Sequence, residues 1–389
     1  MSKKKFIIVS ILSLVVVACA AALVVSYVKK TKEDRTVRVA FYGLSEEYCT
    51  LLQEFLPVEE KVTLKCDILS EGAVDLSTIK NKYDMLFTWK GEITDALEKS
   101  SDEIPAKILE TVPRSLRNNK CMPILLDHYE LAYSKNVIKQ FDNNIPTSFS
   151  AFVEYLEDAK PYVFSPFFCN GGNDRVIAAL TGSMILANGG KPAYLKFIEE
   201  LRNGTEFDSL LDLDLGKGLT LRYVLETLKT WPEKGYTHRA WFNANGSDLL
   251  YFADTNQIGV FFTTLQEHRE IPYDIISRFE SFLMAPTYSS LEYGIIAPAI
   301  SVMLISDNAN AKRYLDAFFT DSAQETLSYR TKLAPVHSRA QAYDRQADDV
   351  RYWAASCPAG ALPDVYLAAF QRNPDALKKF GESVRNFVK

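Results

Sequence analysis

The sequence contains little histidine and cysteine, and neither residue type forms a metal-binding pattern. Among 389 residues there are four scattered histidines and six cysteines without any C-x-x-C spacing. Tetrahedral metal sites need several such ligands at short, regular spacing. Setting Cys19 aside leaves five cysteines, an odd number that predicts buried free thiols rather than a disulfide framework. The sequence therefore predicts no metal site and no bound cofactor.

The motifs of common enzyme classes are also missing. The chain has no G-x-S-x-G elbow, no H-E-x-x-H helix, no P-loop and no G-x-G-x-x-G after a strand. A carboxylate pair such as Asp127 and Glu130 could in principle serve as the acid and base of a glycosidase. They stand close together on opposite faces of one predicted strand, which is poor geometry for that chemistry. An enzyme is therefore the least favoured class of function.

Positive charge is scarce outside the N-terminus. Residues 1–32 carry six lysines and no acid, so the remaining chain has 38 basic and 49 acidic residues, a net charge of −11. Binding to nucleic acid depends on clustered cations that neutralise phosphates. The charge distribution therefore argues against a nucleic-acid partner.

The one long apolar run lies at residues 6–28, between lysines on both sides. As a helix its 23 residues would reach roughly 34 Å, enough to cross a hydrocarbon core of about 30 Å. Residues 16–19 offer a different reading, a lipobox in which Cys19 is lipidated and becomes the N-terminus. The apolar run continues after Cys19, which favours the uncleaved helix. Residues 1–35 are thus predicted to be a membrane anchor or a lipoprotein signal, with the globular part extracytoplasmic.

The globular part begins with alternating strand and helix patterns. Apolar runs at residues 37–42, 62–69 and 83–88 predict three strands, with a helical pattern between the first two. This order predicts a mostly parallel, doubly wound α/β sheet, in which ligands gather at the carboxyl ends of strands. Tyr42 and Trp89 stand at two of those ends. Packing in the core is the alternative role for both rings.

The stretch at residues 122–159 is the most informative. Residues 122–133 have apolar ends and a polar centre, which predicts one strand that is buried at both ends. Burying an unpaired carboxylate is costly, so Asp127 is predicted to face a cleft or a partner. Thr147 or Ser148 is predicted to cap the helix that follows.

The sequence pattern in the second half of the globular part predicts mainly helices. Asn170, Asn173 and Asp174 lie in a Gly-containing loop, where they are candidate contacts for ligand hydroxyls or simply turn residues. Strands are predicted at 162–164, 258–262 and 291–306, and helices at 176–187, 193–203, 219–231 and 248–253, with Gly189 and Gly190 between the first two helices.

The order of features around residue 130 resembles the extracellular solute-binding proteins of family 1, the maltose-type components of ABC importers. The matching residues are Pro123, Asp127, 131–135 and 146–149, with Ser134 in place of the usual Asn and Phe149 in place of the usual Trp. A second similar stretch runs from Asn310 to Glu325, followed by a Pro-containing exit at 333–336. The resemblance covers roughly residues 37–340 and is poor at 200–245 and 345–389.

This resemblance implies a two-lobed periplasmic-binding-protein type II fold of the α/β class, behind an N-terminal membrane-anchor helix. The implied first lobe is 36–132 plus 291–340, and the second is 133–290 plus 341–389. The candidate ligand contacts, taken from strand ends and from the resemblance, are Tyr42, Trp89, Asp127, Tyr129, Asn170, Asn173, Asp174, Trp241 and Thr263.

The function implied is that of a membrane-anchored solute-binding protein on the outer side of a bacterial cytoplasmic membrane. It would capture a small molecule, with carbohydrate favoured, and present it to the permease subunits of an ABC importer. Rings can stack on the apolar faces of sugars while Asp and Asn bond the hydroxyls. The alternative is a sensory or scaffold relative of the same fold that does not take part in transport.

Overall fold

The computed structural model describes residues 35–72, 74–287, 293–358 and 360–389. The predicted anchor at 6–28 and the lipidation candidate Cys19 lie outside these residues. Within the described ranges, no helix combines the length and the apolar character that a membrane crossing requires.

Twelve strands occur in the described residues. They are β1 (Thr36–Tyr42), β2 (Thr63–Leu69), β3 (Met85–Trp89), β4 (Cys121–Leu126), β5 (Tyr129–Ser134), β6 (Ser165–Cys169), β7 (Ile258–Thr264), β8 (Phe279–Phe282), β9 (Ile295–Ile296), β10 (Ala299–Leu304), β11 (Ala334–Pro335) and β12 (Ala361–Leu362).

The α-helices of the described residues range from one turn to eight. They are α1 (Glu46–Glu54), α2 (Leu76–Lys82), α3 (Glu92–Glu98), α4 (Ala106–Leu109), α5 (Lys135–Ile138), α6 (Phe149–Ala159), α7 (Asp174–Arg202), α8 (Phe207–Leu211), α9 (Leu221–Thr230), α10 (Gly246–Asp254), α11 (Leu265–Glu270), α12 (Tyr273–Ile276), α13 (Ala309–Leu315), α14 (Asp321–Thr331), α15 (Arg345–Ser356) and α16 (Pro374–Val388). Short 3₁₀ turns lie at Arg114–Leu116, Lys139–Phe141, Trp241–Asn243 and Asp316–Phe318, and a π turn lies at Tyr366–Phe370.

Two separate sheets organise the chain into two lobes. The first lobe is built on a six-stranded sheet in the order β11-β4-β10-β3-β1-β2. In it β1 is parallel to β2 and β3, whereas β10 is antiparallel to β3 and β4. The second lobe is built on a four-stranded sheet in the order β6-β7-β5-β8. The strands β1, β3, β4 and β5 are buried along almost their whole length because helices cover both faces, and only the edge strand β2 alternates.

The predicted single strand at 122–133 is wrong, because the chain crosses between the two sheets in the middle of it. Strand β4 belongs to the first lobe and β5 to the second. The N–H of Asp127 donates to the carbonyl of Pro298 at 2.8 Å, and the N–H of Leu265 donates to the carbonyl of His128 at 2.9 Å. The polar centre of the stretch is therefore the crossover itself.

The first part of the second lobe follows the predicted succession with one correction. Ser148 caps α6 by accepting from the N–H of Ala151 at 3.1 Å, as expected for one of the two cap candidates. Helix α7 contains a break at Gly190, whose φ of 72° is the conformation a glycine accommodates best. The strand predicted at 162–164 is wrong, because β6 starts only after it.

The C-terminal segment is shared between the lobes, although 341–389 was expected to lie wholly in the second. Helix α15 packs against β11 and the 3₁₀ turn at Arg114–Leu116, both parts of the first lobe. Helix α16 packs against α7 and α9 of the second lobe. The π turn between them contacts both α7 and α3. The remaining lobe boundaries stay a prediction.

Candidate functional site

The strand ends of both lobes meet at the crossover. Strands β1, β3 and β4 run in the same direction, so Tyr42, Trp89 and the start of the crossover at Asp127 share one edge of the first sheet. Strands β6 and β7 are parallel, and the start of antiparallel β5 lies beside the end of β7. Tyr129 and Thr263 therefore share the facing edge of the second sheet. This junction is the candidate site, and we call it the cleft.

Asp127 lies at the centre of the cleft and is only 5% exposed. Its Oδ1 accepts the N–H groups of His128 at 2.8 Å and Gln266 at 3.1 Å. None of the described residues is hydrogen-bonded to its Oδ2. Burial raises the pKa of Asp127 to about 7, although the two backbone N–H groups and the nearby Arg175 favour the ionised form. The carboxyl group therefore holds its proton to a much higher pH than a free aspartate does.

Tyr129 and Arg175 converge on one buried carboxylate. The hydroxyl of Tyr129 donates to Oδ2 of Asp364 at 3.1 Å, and Nε of Arg175 donates to the same oxygen at 2.8 Å. Asp364 is completely buried, while the Arg175 side chain keeps 35% of its surface exposed. The described residues leave both terminal nitrogens of Arg175 without a hydrogen bond. Asp364 therefore balances the charge of this guanidinium, and its two terminal N–H₂ groups can donate hydrogen bonds to a ligand.

A second carboxylate, Glu267, stands beside Asp127. It comes from α11, which continues directly from β7, and its Oε2 accepts from the hydroxyl of Thr263 at 3.0 Å. Its charge contributes to the raised pKa of Asp127. Thr263 therefore positions an acid at the cleft, and its own hydroxyl is already in use.

Aromatic rings border the cleft on both sides. Trp89 is 7% exposed and packs edge-on against Tyr48, with ring centroids 6.2 Å apart. Tyr48 is near enough to Asp127 for that charge to raise the pKa of its hydroxyl, after burial, which is the larger cause. Tyr129 stacks on Phe262 at 5.4 Å. The rings combine apolar surface with hydroxyl groups near the unpaired atoms of Asp127 and Arg175.

Trp241 and Tyr42 are two aromatic predicted contacts that are almost completely enclosed. Trp241 is 1% exposed, and its Nε1 has no hydrogen-bond partner among the described residues. It lies under the loop at Gly171, where an added Cβ would approach the Trp241 carbonyl oxygen to 2.7 Å. The hydroxyl of Tyr42 donates to the carbonyls of Gly72 at 2.8 Å and Gln371 at 3.2 Å. Its hydrogen bonds are therefore internal.

The three polar residues of the loop before α7 have different roles. Asn173 caps α7, since its Oδ1 accepts from the N–H groups of Arg175 at 2.9 Å and Val176 at 3.3 Å. Asp174 forms an ion pair with Arg385 of α16. Asn170 is half-buried, and no side-chain hydrogen bond joins it to the described residues. Of the three, Asn170 has the amide group free for a ligand.

Sequence reasoning missed Arg175, Glu267 and Asp364. Arg175 is the second residue of a helix and Glu267 belongs to a charged helix start, so both read as ordinary surface positions. Asp364 lies 189 residues from Arg175 in the chain. A burial signal was present only for Asp364, within the apolar run at 361–370, where it is the one charged residue. In the described residues, no group of three His, Cys, Asp or Glu side chains is placed to hold a metal ion.

The sequence matches no protein-family model and no curated protein. Solved structures, however, are similar over nearly the whole chain. The bacterial solute receptor AcbH, described as exclusively preferring β-D-galactopyranose, has a TM-score of 0.69 at 12% identity, covering 92% of this chain and 93% of its own. The binding protein MsmE from Bacillus subtilis, in an open conformation, has a TM-score of 0.66 at 14% identity, covering 91% and 94%. A chitin oligosaccharide binding protein has a TM-score of 0.62 at 16% identity, covering 91% and 93%.

These similarities establish the fold. The chain has the two-lobed α/β fold of the bacterial solute-binding proteins, and the resemblance to the maltose-type family is confirmed at that level. The three proteins are named as binding proteins or receptors rather than as enzymes.

Proposed function

We propose that this protein captures a small, hydroxyl-rich solute, a carbohydrate, in the cleft between its lobes. The observation that carries the proposal is the set of unused polar atoms at the junction of the two sheets. Oδ2 of Asp127 and the terminal nitrogens of Arg175 have no hydrogen-bond partner among the described residues. Buried polar groups in folded proteins are normally bonded, so unused ones in a cleft indicate a ligand.

The charge of the cleft favours an uncharged ligand. Arg175 is already balanced by Asp364 at 2.8 Å. Burial raises the pKa of Asp127 to about 7, so the cleft disfavours a full negative charge on this carboxyl group. A sugar hydroxyl can donate to Oδ2 when Asp127 is ionised and accept from it when Asp127 is protonated. Trp89 and Tyr48 supply apolar ring surface beside these groups, which suits the faces of a sugar ring.

The cellular role we propose follows from the fold. The protein would be anchored by residues 6–28 at the outer side of a bacterial cytoplasmic membrane and would deliver its solute to an ABC permease. Support comes from the similar structures named as a chitin oligosaccharide binding protein and as a receptor that prefers β-D-galactopyranose. A further similar structure is called a secreted solute-binding lipoprotein. The permease partner and the anchor are both part of the proposal.

The experiment begins with native mass spectrometry of freshly purified protein, to detect a co-purified small molecule. Thermal unfolding is then measured against a panel of mono- and oligosaccharides. A ligand at a hundred times its dissociation constant stabilises the folded state by about 2.7 kcal/mol, so the matching sugar should raise Tm by a few degrees. A panel and a mass spectrum that both show no ligand would refute solute capture.

The site itself is tested with a pair of arginine variants. Arg175→Ala removes the free guanidinium nitrogens of the cleft, so we expect the affinity for the sugar found in the panel to fall at least about tenfold. The matched control is Arg222→Ala on α9, which breaks an exposed ion pair with Asp212. Equal affinities for Arg175→Ala and Arg222→Ala would place the ligand elsewhere.

A second candidate function is a sensory or scaffold role without solute transport. It is favoured by the enclosure of Tyr42 and Trp241, which are 0% and 1% exposed. The hydroxyl of Tyr42 is bonded to backbone carbonyls, so one expected ligand contact is occupied by the protein itself. In this case no sugar would shift Tm, and association with a membrane partner would be the same with and without sugars.

A further inference from the structure

Helix α15 begins at the second lobe although its body packs on the first. Three consecutive residues at its start reach the second sheet or α11. Asp344, its N-cap, accepts from Arg269 of α11 at 2.7 Å. Arg345 forms an ion pair with Glu280 of β8. Gln346 reaches into the interior, as described next. The start of α15 is therefore tied to the second lobe at three adjacent positions.

The innermost of these ties ends on a buried carboxylate. Nε2 of Gln346 donates to the hydroxyl oxygen of Ser281 at 2.7 Å and to the carboxylate of Glu130 of β5, at 3.0 Å from Oε2 and 3.1 Å from Oε1. Glu130 is 0% exposed. Its other partners are Nδ1 of His268 at 2.7 Å and the hydroxyl of Ser281 at 2.8 Å. His128 lies 3.9 Å away, beyond hydrogen-bond distance.

This cluster is structural rather than catalytic. Glu130 and Ser281 both contact Nδ1 of His268, at 2.7 and 3.2 Å, so the imidazole does not relay a proton between two different nitrogens. Burial opposes ionisation of Glu130, but the two neighbouring histidines and their contacts hold its pKa well below the usual range. A buried carboxylate of this kind depends on every donor around it.

The rest of α15 packs on the first lobe, except that Trp353 also reaches the crossover and β8. It packs against the 3₁₀ turn at Arg114–Leu116 and against β11. Trp353, near its end, contacts His128 of the crossover and Phe282 of β8, with ring centroids 5.5 Å apart in both pairs. Tyr129 and Glu130 are adjacent in β5, so their side chains point to opposite faces of the second sheet. The ties of α15 thus lie across the sheet from the Tyr129–Asp364–Arg175 contacts of the cleft.

We propose that the first turn of α15 is a latch between the lobes that sets their relative position. It is held by the hydrogen bonds of Gln346 to Glu130 and Ser281 together with the ion pairs of Asp344 and Arg345. Moving α15 away from the second sheet removes a hydrogen-bond donor from a buried charge and breaks the bond to Ser281, so the latched arrangement is favoured over any in which the lobes rotate apart there. A ligand that needs one arrangement of the lobes binds in proportion to its population. The effect on affinity rests on the proposed function; the effect on lobe position does not.

The test measures the distance between the lobes without any ligand. Spin labels are attached at Glu60→Cys in the first lobe and Asp158→Cys in the second, both exposed positions. The full chain is used with Cys19 and the half-buried Cys66 replaced by serine; the other four cysteines are buried. Pulsed electron resonance then compares Gln346→Ala with Gln341→Ala, an exposed glutamine five residues earlier in the same segment. We expect a second, shifted distance population in Gln346→Ala only.

Identical distance distributions in the two glutamine variants would overturn the latch. Because loss of a donor to Glu130 can unfold the protein, Arg269→Ala is measured as well; it removes the tie to Asp344 and leaves the shell of Glu130 intact. It should also shift the distribution, and a normal distribution would count against the latch. If a sugar ligand is found, its affinity should change about fivefold or more in Gln346→Ala, as is usual for coupling between two states. If the spin-label distance shifts in Gln346→Ala but no sugar binds, the latch is supported and only solute capture is refuted.

Discussion

The buried carboxyl group of Asp127 gives the sharpest prediction about stability. Asp127→Asn keeps the Oδ1 atom that accepts the N–H groups of His128 and Gln266, at 2.8 and 3.1 Å. The amide also resembles the protonated carboxyl group in shape and in being neutral. The variant therefore removes the titration of this one site while its hydrogen bonds to the backbone remain.

The magnitude follows from the pKa values of the two states. Burial raises the pKa of Asp127 from 3.8 to about 7 in the folded protein. Between these values the folded state binds the proton and the unfolded state does not, so the wild type loses stability as pH rises from about 4 to about 7, and no more above that. At 1.36 kcal/mol per pKa unit the total loss is roughly 4 kcal/mol. Asp127→Asn should escape this loss.

The assay is urea unfolding of the wild type and Asp127→Asn at several pH values from 4 to 8.5. We expect the variant to be about equal to the wild type near pH 4 and more stable by roughly 2–4 kcal/mol above pH 7. Asp158→Asn, an exposed change on α6, serves as the control and should leave the pH profile of the wild type unchanged. A constant difference between Asp127→Asn and the wild type across this range would refute the reasoning.

Three further predictions concern the anchor, the cleft wall and the C-terminal segment. If the N-terminal apolar run spans the membrane, Cys19→Ser should stay in the membrane fraction with unchanged mobility; release into the soluble fraction would support lipidation instead. Trp89→Ala should lower the free energy of unfolding by about 3–5 kcal/mol, because the ring is 7% exposed, and unchanged sugar affinity in that variant would remove Trp89 from the site. Gly91→Ala should cost about 1–3 kcal/mol, since its Cβ would approach the carbonyl oxygen of Leu367 to 2.1 Å, whereas Gly246→Ala, with open space around it, should not. Urea unfolding checks both stability predictions. An unchanged free energy of unfolding in Gly91→Ala would show that the π turn moves easily to make room for the added Cβ.

Much of the local structure could be predicted from the sequence because its causes are local. Ser148 caps α6 because its hydroxyl bonds the backbone three residues ahead, and Gly190 interrupts α7 because it adopts a positive φ. The parallel order of β1, β2 and β3 followed from alternating strand and helix patterns.

Only the tertiary structure decided where the polar centre of residues 122–133 would lie. An apolar–polar–apolar pattern is the same for one strand and for two strands joined by a crossover, because hydrophobic alternation carries no information about which sheet a residue joins. The contacts that define the cleft and the latch have the same origin. Arg175 meets Asp364 across 189 residues, and Gln346 meets Glu130 across 216. Such pairs form when the packing of apolar faces brings distant segments together. The local periodicity of a sequence does not indicate which distant segments will meet.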